Sequence, residues 1–367
     1  MKRLTMLIFV SMAVVPLAPA QDGSPTRAQG YFNVVIPGAE AVGTPKVSMV
    51  SLPLYPRPLP TAEGGPTGAM AGLIDSVTGD TMTDTDAGWL AGELSTEAAP
   101  YYVRFTSGTL AGRMMQITAN TTDTLTLETD GDALTGSVTV GTDGYEIVAG
   151  HTLISAFGTG VADINTPGVL GGADGSGDGA DVIQINDGLG WSSYVYNVTS
   201  DRWELRGSLR PFSRNNIPIS PESCLIYNRA GLSDFTLVTT GHVPDQGVQI
   251  LVATGVNMIA ANFPTDRELR ELKLEEMPGW RPIGGPNNYT EAEADYVTIR
   301  DAVGWLSYVY DADNSRWQRL GSLRPFDRGD TPIPAGTGLM ILKRGSADDA
   351  SIFLDPLPSY YQIATSQ

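Results

Sequence analysis

Two matching groups of aromatic residues could form a surface that binds sugar rings. The first group reads GWSSYVY followed by RW, and the second reads GWLSYVY followed by RW. Alternate residues of a strand share one face, and a hairpin brings such faces side by side. Exposed rings in this arrangement can stack on a ligand, whereas buried rings would build a hydrophobic core. We favour the core and keep ligand binding as the alternative for Trp191, Tyr194, Tyr196, Trp203, Trp305, Tyr308, Tyr310 and Trp317.

One oxygen-rich segment matches the first half of a calcium-binding loop. Asp174, Ser176 and Asp178 occupy positions one, three and five of such a loop, and Gly179 occupies position six. Position twelve is Ile185, where these loops carry a bidentate glutamate. Two interpretations therefore stay open, namely calcium bound by Asp174, Ser176 and Asp178, or a solvated linker.

No other spacing in the sequence predicts a known catalytic chemistry. His151 and His242 are the two histidines, and the chain has neither an HExxH nor a GxSxG motif. Cys224 is the single cysteine, so an intrachain disulfide is excluded. The 41 acidic residues leave a glycosidase-like carboxylate pair open, but no spacing selects one. We therefore predict no catalytic residues.

The amino-terminal segment is typical of a secretory signal peptide. Lys2 and Arg3 precede the apolar stretch 4–17, and Ala18-Pro19-Ala20 supplies small residues at the positions that a signal peptidase reads. We predict cleavage after Ala20 and a secreted, periplasmic or cell-surface protein. No later segment is long and apolar enough to predict a transmembrane helix.

The charge balance limits the partners that this protein can bind. The chain has 23 basic and 41 acidic residues, which gives a net charge of −18. Nucleic acid binding needs a basic surface, so we expect no nucleic acid partner. The same net charge disfavours anionic membrane surfaces. A polysaccharide or a surface protein is the partner class that remains.

The strongest signal in the sequence is an internal duplication. Residues 180–231 align with residues 294–345 without a gap, and 23 of the 52 aligned pairs are identical. Both copies contain the segment GSLRPF, which includes Arg210 in the first copy and Arg324 in the second. Because arginine suits bidentate pairing with a carboxylate, we expect each of these arginines to pair with an aspartate of its own unit.

Alternating apolar residues and frequent turn signals predict strands along most of the chain. A similar entry strand precedes each copy, at 47–53 and 256–264, but a long additional segment follows the first of them. Residues 265–268 have capping-box spacing and predict one helix that includes Leu269 and Leu272. We predict an all-β protein of two duplicated β-sandwich-like units with a small β-barrel inserted in the first. The predicted segments are a signal peptide at 1–20, a first unit at 21–71 plus 151–237, the inserted barrel at 72–150, and a second unit at 238–367.

Several longer motifs follow one another in a characteristic order. They are VSLPL at 50–54, YYVRFTSGTLAGR at 101–113, ITANTTDTLTL at 117–127, and the two GW-x-x-YVY and RW segments. In this order the chain resembles a family of secreted bacterial all-β proteins of unknown function. The resemblance implies export and an all-β fold, and it brings no activity and no catalytic residues. One departure lies at 220–224, which lacks the two glycines that the second copy has at 334–338.

These observations predict a non-catalytic exported protein of structural or adhesion type. The first alternative is a carbohydrate-binding protein that uses the paired aromatic hairpins, and the second is a hydrolase with an unrecognised acidic site. Solvent exposure of the tryptophans separates the first two, and a deep cleft with two close carboxylates would favour the third. Calcium is the single cofactor that the sequence suggests.

Overall fold

The computed structural model describes residues 29–58, 65–129, 131, 133–186, 190–210, 212–300, 304–323 and 326–345, together with the backbone of 351–355. The predicted signal peptide and its cleavage site lie outside these residues. Nearly all described elements are strands, which confirms the all-β prediction. Within the described part of the chain, no helix has the length and apolar character needed to cross a membrane.

The first ten strands include eight that form the inserted sheet. In chain order they are β1 (Gln29–Ile36), β2 (Lys46–Val50), β3 (Ala71–Leu73), β4 (Ser76–Thr78), β5 (Thr81–Thr83), β6 (Ser95–Thr96), β7 (Ala99–Phe105), β8 (Met114–Asn120), β9 (Thr124–Leu127) and β10 (Gly144–Ala149). The inserted sheet runs in the order β3-β10-β7-β8-β9-β5-β4, and β6 pairs with β7. It is curled into a half-barrel around a core that includes Trp89, Phe105 and Tyr145.

The remaining elements complete the first unit and form the second. They are β11 (His151–Thr152), helix α1 (Leu153–Phe157), β12 (Val182–Asn186), β13 (Trp191–Asn197), β14 (Arg202–Leu205), β15 (Pro218–Ile219), β16 (Leu225–Arg229), β17 (Phe235–His242), β18 (Val248–Val252), β19 (Gly255–Ala260), β20 (Arg267–Glu268), the 3-10 helices Leu269–Leu272 and Leu274–Glu276, β21 (Tyr296–Arg300), β22 (Trp305–Asp311), β23 (Arg316–Arg319), β24 (Pro332–Ile333), β25 (Gly338–Lys343) and β26 (Ser351–Asp355).

Two five-stranded antiparallel sheets have the same strand order. The first runs β14-β13-β12-β16-β2 and the second runs β23-β22-β21-β25-β19. The aligned segments of the duplication supply four strands of each sheet, and the two entry strands supply the fifth. Short strand pairs flank both sheets in equivalent places. The pair β11–β15 of the first unit corresponds to β20–β24 of the second, and the pair β1–β17 corresponds to β18–β26.

The two sheets meet through reciprocal contacts. Val50 of β2 bridges Thr337, and Ile259 of β19 bridges Ser223. Ser223 and Thr337 are equivalent in the aligned duplication, and Val50 and Ile259 hold equivalent places in the two entry strands. A contact in which each side uses the same two positions is the mark of a two-fold relation. The join between the units therefore resembles the interface of a symmetric dimer.

The inserted sheet occupies one loop of this two-fold arrangement. In the first unit it separates β2, which ends at Val50, from β11, which begins at His151. In the second unit β19 ends at Ala260, and β20 begins at Arg267 after a short connection. The strand pairings thus place the insertion between equivalent elements, while the segment boundaries stay a prediction.

The helix predicted near Leu269 takes a shorter form than expected. Arg267 and Glu268 pair with Ile333 and Pro332 as β20, so the chain is still extended at the predicted helix start. A 3-10 helix then covers Leu269–Leu272, with Glu268 and Glu271 forming the capping box. Strand pairing has overridden the local capping signal.

Candidate functional site

The structure divides the eight predicted ligand-binding aromatics into buried and exposed groups. Trp191 and Trp305 are 40% and 44% exposed, and they are the two that present much surface to solvent. The other six pack in the cores of their units, so no row of stacked rings faces a ligand. These six side chains follow the favoured core interpretation rather than the alternative of a shared platform. Tyr196, Trp203, Tyr308 and Trp317 are buried and Tyr310 is partly buried, while Tyr194 is buried and also lines the cleft beside Trp191.

Cross-strand pairing explains why these aromatics are buried. Trp203 lies opposite Tyr196 in the hairpin, with ring centroids 5.6 Å apart in an edge-to-face arrangement. Its indole N–H donates to the carbonyl oxygen of Gly158 at 3.1 Å. Trp317 lies opposite Tyr310 in the same way, with centroids 5.5 Å apart. The duplicated aromatics therefore hold each hairpin on its core.

Trp191 and Trp305 occupy equivalent positions in different surroundings. Each begins the second strand of its sheet hairpin, and the cross-strand partner is Asn186 for Trp191 and Arg300 for Trp305. The guanidinium of Arg300 lies 5.9 Å from the ring centroid of Trp305 and donates to the Ser48 hydroxyl at 3.2 Å. In the first unit, asparagine stands where this arginine would be.

A cleft of about 660 Å³ lies beside Trp191, where the inserted sheet meets both units. The inserted sheet contributes Gln116 and Glu128, the first unit contributes Asn186 and Trp191, and the second unit contributes Asn257. Apolar side chains cover much of the rest, including Met114, Met258, Ile250, Leu251 and Val256. A largely apolar concavity with a few polar side chains is typical of a small-ligand site.

An ion pair fixes the walls of this cleft. Arg113 of the inserted sheet lies 3.5 Å from the carboxylate of Glu222 in the first unit, and it donates to the Gln249 carbonyl of the second unit at 3.3 Å. Glu222 also accepts from the backbone N–H of Met114 at 3.0 Å. Burial, with the nearby charge of Glu222 adding to it, raises the pKa of Tyr102 well above its usual range. The Arg113–Glu222 pair thus joins the inserted sheet to the first unit, and the bond from Arg113 to Gln249 joins it to the second.

The oxygen-rich segment predicted to bind calcium forms an exposed turn. Asp174, Ser176 and Asp178 are all exposed, and the Asp174 carboxylate accepts from the Ser176 backbone N–H at 2.9 Å. Hydrogen bonds from Ser176 lower the pKa of Asp174. Among the described residues, no three His, Cys, Asp or Glu side chains converge as metal ligands would. Calcium binding at this turn stays a prediction.

The charged residues shared by the two copies include a buried carboxylate in each unit. Asp181 pairs with Arg229 and the equivalent Asp295 pairs with Lys343, and all four side chains are fully buried. Arg210, expected to pair with an aspartate, is exposed and forms no ion pair with any described residue. The expectation for Arg210 was wrong, since this residue lies in an exposed loop after β14, and Arg324 lies outside the described residues.

Apart from Trp191 and Tyr194, the cleft residues were not predicted from the sequence. Arg113, Gln116, Asn186, Glu222 and Asn257 come from distant segments, and no spacing connects them. One signal was available, since the aligned copies differ at Asn186 and Arg300 beside an identical tryptophan.

The fold and this site define an all-β protein with a ligand-sized cleft between three sheets. Compared with known proteins, the chain matches no family model, no curated protein and no solved structure. The resemblance to secreted bacterial proteins therefore stays a prediction, and the function is proposed from the site alone.

Proposed function

We propose that the protein is a non-catalytic exported protein of structural or adhesion type, which holds a surface ligand in the cleft beside Trp191. The observation that carries the proposal is the difference between the two units. In the second unit the guanidinium of Arg300 lies 5.9 Å from the ring of Trp305, whereas in the first unit the tryptophan borders a cleft walled by the inserted sheet. One position of a duplicated scaffold borders a concave site, and the equivalent position holds an arginine beside a tryptophan of similar exposure.

The binding role is favoured over hydrolysis by the state of the cleft carboxylates. Glu222 accepts hydrogen bonds from Arg113 and from the Met114 backbone, which fix it as part of the wall. A glycosidase needs one carboxylic acid that can donate a proton and a second carboxylate facing the same bond. Glu128 is exposed at the cleft and is the carboxylate left to act there.

A carbohydrate is the ligand class that the lining of the cleft favours. The half-exposed ring of Trp191 offers an apolar face, and the side-chain amides of Gln116, Asn186 and Asn257 lie around the same cleft. Primary amides both donate and accept hydrogen bonds, as sugar hydroxyls do. Ring stacking combined with such hydrogen bonds suits a sugar better than a charged ligand.

The test is binding of the chain from Gln21 onward to a panel of polysaccharides, measured by tryptophan fluorescence with and without calcium. The expected result is saturable binding that Trp191→Ala abolishes and that Trp305→Ala, the matched control, leaves unchanged. Calcium-dependent binding would implicate the turn at Asp174. Release of reducing sugar ends would replace the proposal with the hydrolase. Binding that neither substitution weakens would place the ligand outside the cleft.

Export is tested separately. We expect the protein recovered from outside the cytoplasm to begin at Gln21, as amino-terminal sequencing would show. A mature protein that still begins at Met1 and stays in the cytoplasm would overturn the assignment to the cell surface.

A further inference from the structure

Two loops carry the two most exposed apolar side chains of the described structure, each with an exposed phenylalanine nearby. Leu209 and Leu323 are each 100% exposed, and Phe212 and Phe326 are each 62% exposed. These residues belong to the two GSLRPF segments, which follow β14 and β23. The two loops therefore present the same leucine and the same phenylalanine to the same extent in both units.

Packing does not explain why these loops are identical in the two copies. Most other identical residues of the described copies serve the fold, as Trp203 and Asp181 do in the core and Gly207 does with its positive φ of 71°. A fully exposed leucine makes no such contribution, and exposed surface positions tolerate substitution with little effect on stability. The retained Leu and Phe point to a role outside the fold.

Arginine is concentrated around both loops. Residues 202–214 and 316–328 together contain eight of the 23 basic residues of the chain but two of its 41 acidic ones. These 26 residues thus carry a formal charge of +6, from eight minus two, in a chain of net charge −18. Five of the arginines form no ion pair with a described residue: Arg206, Arg210, Arg214, Arg319 and Arg328.

We propose that the two GSLRPF loops dock this protein on a phosphate-bearing lipid surface, with Leu209, Phe212, Leu323 and Phe326 inserted among the acyl chains and the neighbouring arginines on the headgroup phosphates. Apolar side chains beside cationic ones are the composition that binds a membrane interface. The reciprocal bridges between the units indicate a two-fold relation, which would place the two loops symmetrically about one axis.

The local charge outweighs the net charge in this contact. At physiological ionic strength, charges more than about 8 Å from the lipid surface are largely screened. The acidic remainder of the chain therefore opposes docking weakly, while arginines beside the inserted side chains act at short range. The proposal therefore runs against the expectation from net charge alone, which disfavours anionic membranes. An anionic polysaccharide would attract the same arginines, but it offers no apolar phase for a fully exposed leucine.

The test is flotation of the chain from Gln21 onward with vesicles of phosphatidylcholine and phosphatidylglycerol, at low salt and at 0.5 M NaCl. The apolar stretch 4–17 is omitted because it would bind lipid by itself. We expect the protein to float, and we expect Leu209→Ser/Phe212→Ser to weaken binding by about tenfold or more, since burial of one such side chain alone changes affinity by about that factor. Adding Leu323→Ser/Phe326→Ser should abolish flotation.

The matched control is Tyr31→Ser/Val42→Ser, which removes two apolar side chains that are 75% and 73% exposed elsewhere. It should float like the wild type, as should Trp191→Ala. A failure of the proposal for the cleft can therefore be distinguished from a failure of the proposal for the loops. The proposal is overturned if the wild-type chain does not float with the vesicles. It is also overturned if the variant with all four serine substitutions floats like the wild type. Binding to a soluble anionic polysaccharide with no flotation would reassign the arginines to that polymer.

Discussion

The carboxylate of Asp181 lies 2.5 Å from a guanidinium nitrogen of Arg229, and neither side chain is exposed. In the second unit Asp295 lies 2.9 Å from the ammonium group of Lys343 in the same place. The duplication has thus kept the aspartate and exchanged the cation. The reason is electrostatic, because a buried carboxylate needs a partner of opposite charge, and both cations supply one.

Removing either carboxylate should leave a buried cation without its partner. We expect Asp181→Asn and Asp295→Asn each to lower the free energy of unfolding by about 3–5 kcal/mol. Urea denaturation followed by tryptophan fluorescence would measure the loss.

The control for these variants is Asp178→Asn, since Asp178 is exposed. Its effect should stay within about 0.5 kcal/mol. Arg229→Lys should cost less than Asp181→Asn, because it recreates the pair found in the second unit. Equal stability of wild type and both asparagine variants would show that the pairs contribute nothing.

The tryptophans of the two hairpins should divide into two energetic classes. Trp203 and Trp317 are 0% and 2% exposed, so Trp203→Ala and Trp317→Ala should each cost about 3–5 kcal/mol of unfolding free energy. Trp191 and Trp305 are exposed to a large extent, so their alanine variants should lose about 1 kcal/mol or less. Thermal and urea unfolding of the four variants would check this order, which fails if Trp203→Ala melts like the wild type.

The parts of the fold that follow local patterns could be predicted from the sequence. Strand alternation and turn signals predicted an all-β chain, and the aligned copies predicted equivalent hairpins around Trp203 and Trp317. The partners of Asp181 could not be predicted in this way, since Arg229 is 48 residues away and its pairing depends on how β12 and β16 meet. Arg210 was a reasonable partner by residue type, but it lies in an exposed loop outside the sheet.

The cleft escaped prediction for a different reason. Its walls come from the inserted sheet and from both units, and a site of this kind exists only when the three are assembled. The contrast between Asn186 and Arg300 is visible in the aligned copies, but its meaning depends on Ser48 and Trp305 lying beside Arg300. Long-range assembly, rather than local propensity, determines where the cleft lies.

The reactivity of the single cysteine measures how tightly the two units are joined. Cys224 is 1% exposed, and a side chain at the facing Gly338 would lie within 2.4 Å of its Cβ atom. Burial raises the pKa of the Cys224 thiol to about 12. About one thiol in 10,000 is then ionised at pH 8, so reaction with a thiol reagent should require unfolding.

Labelling with a chromogenic disulfide reagent would check this prediction. The native protein should not react. In strong denaturant, each chain should release one equivalent of the coloured thiol. Val42→Cys, at a position 73% exposed, is the control that should react at once in the native state. Prompt labelling of native Cys224 would mean that the join opens readily in solution.

Stability should fall on mild acidification because of His151. Its Nε2 lies 3.1 Å from the carbonyl oxygen of Leu54, which fixes the neutral ring with the proton on this nitrogen. Burial lowers the pKa of His151 from 6.5 to about 4, although the Leu54 carbonyl opposes the shift. The unfolded chain therefore takes up a proton below pH 6.5, while the folded chain resists protonation until about pH 4. The stabilisation is complete above pH 6.5 and is lost progressively as the pH falls toward 4.

The expected loss from this one histidine is about 2 kcal/mol between pH 7 and pH 5, within a total of about 3 kcal/mol. Urea titrations at half-unit steps would measure it in a range where most carboxylates remain ionised. His151→Gln should flatten the dependence above pH 5, whereas the exposed substitution Val42→Ser should keep the wild-type slope. If the His151→Gln protein loses stability as steeply as the wild type, other groups carry the acid sensitivity and the ring of His151 accepts its proton in the folded chain.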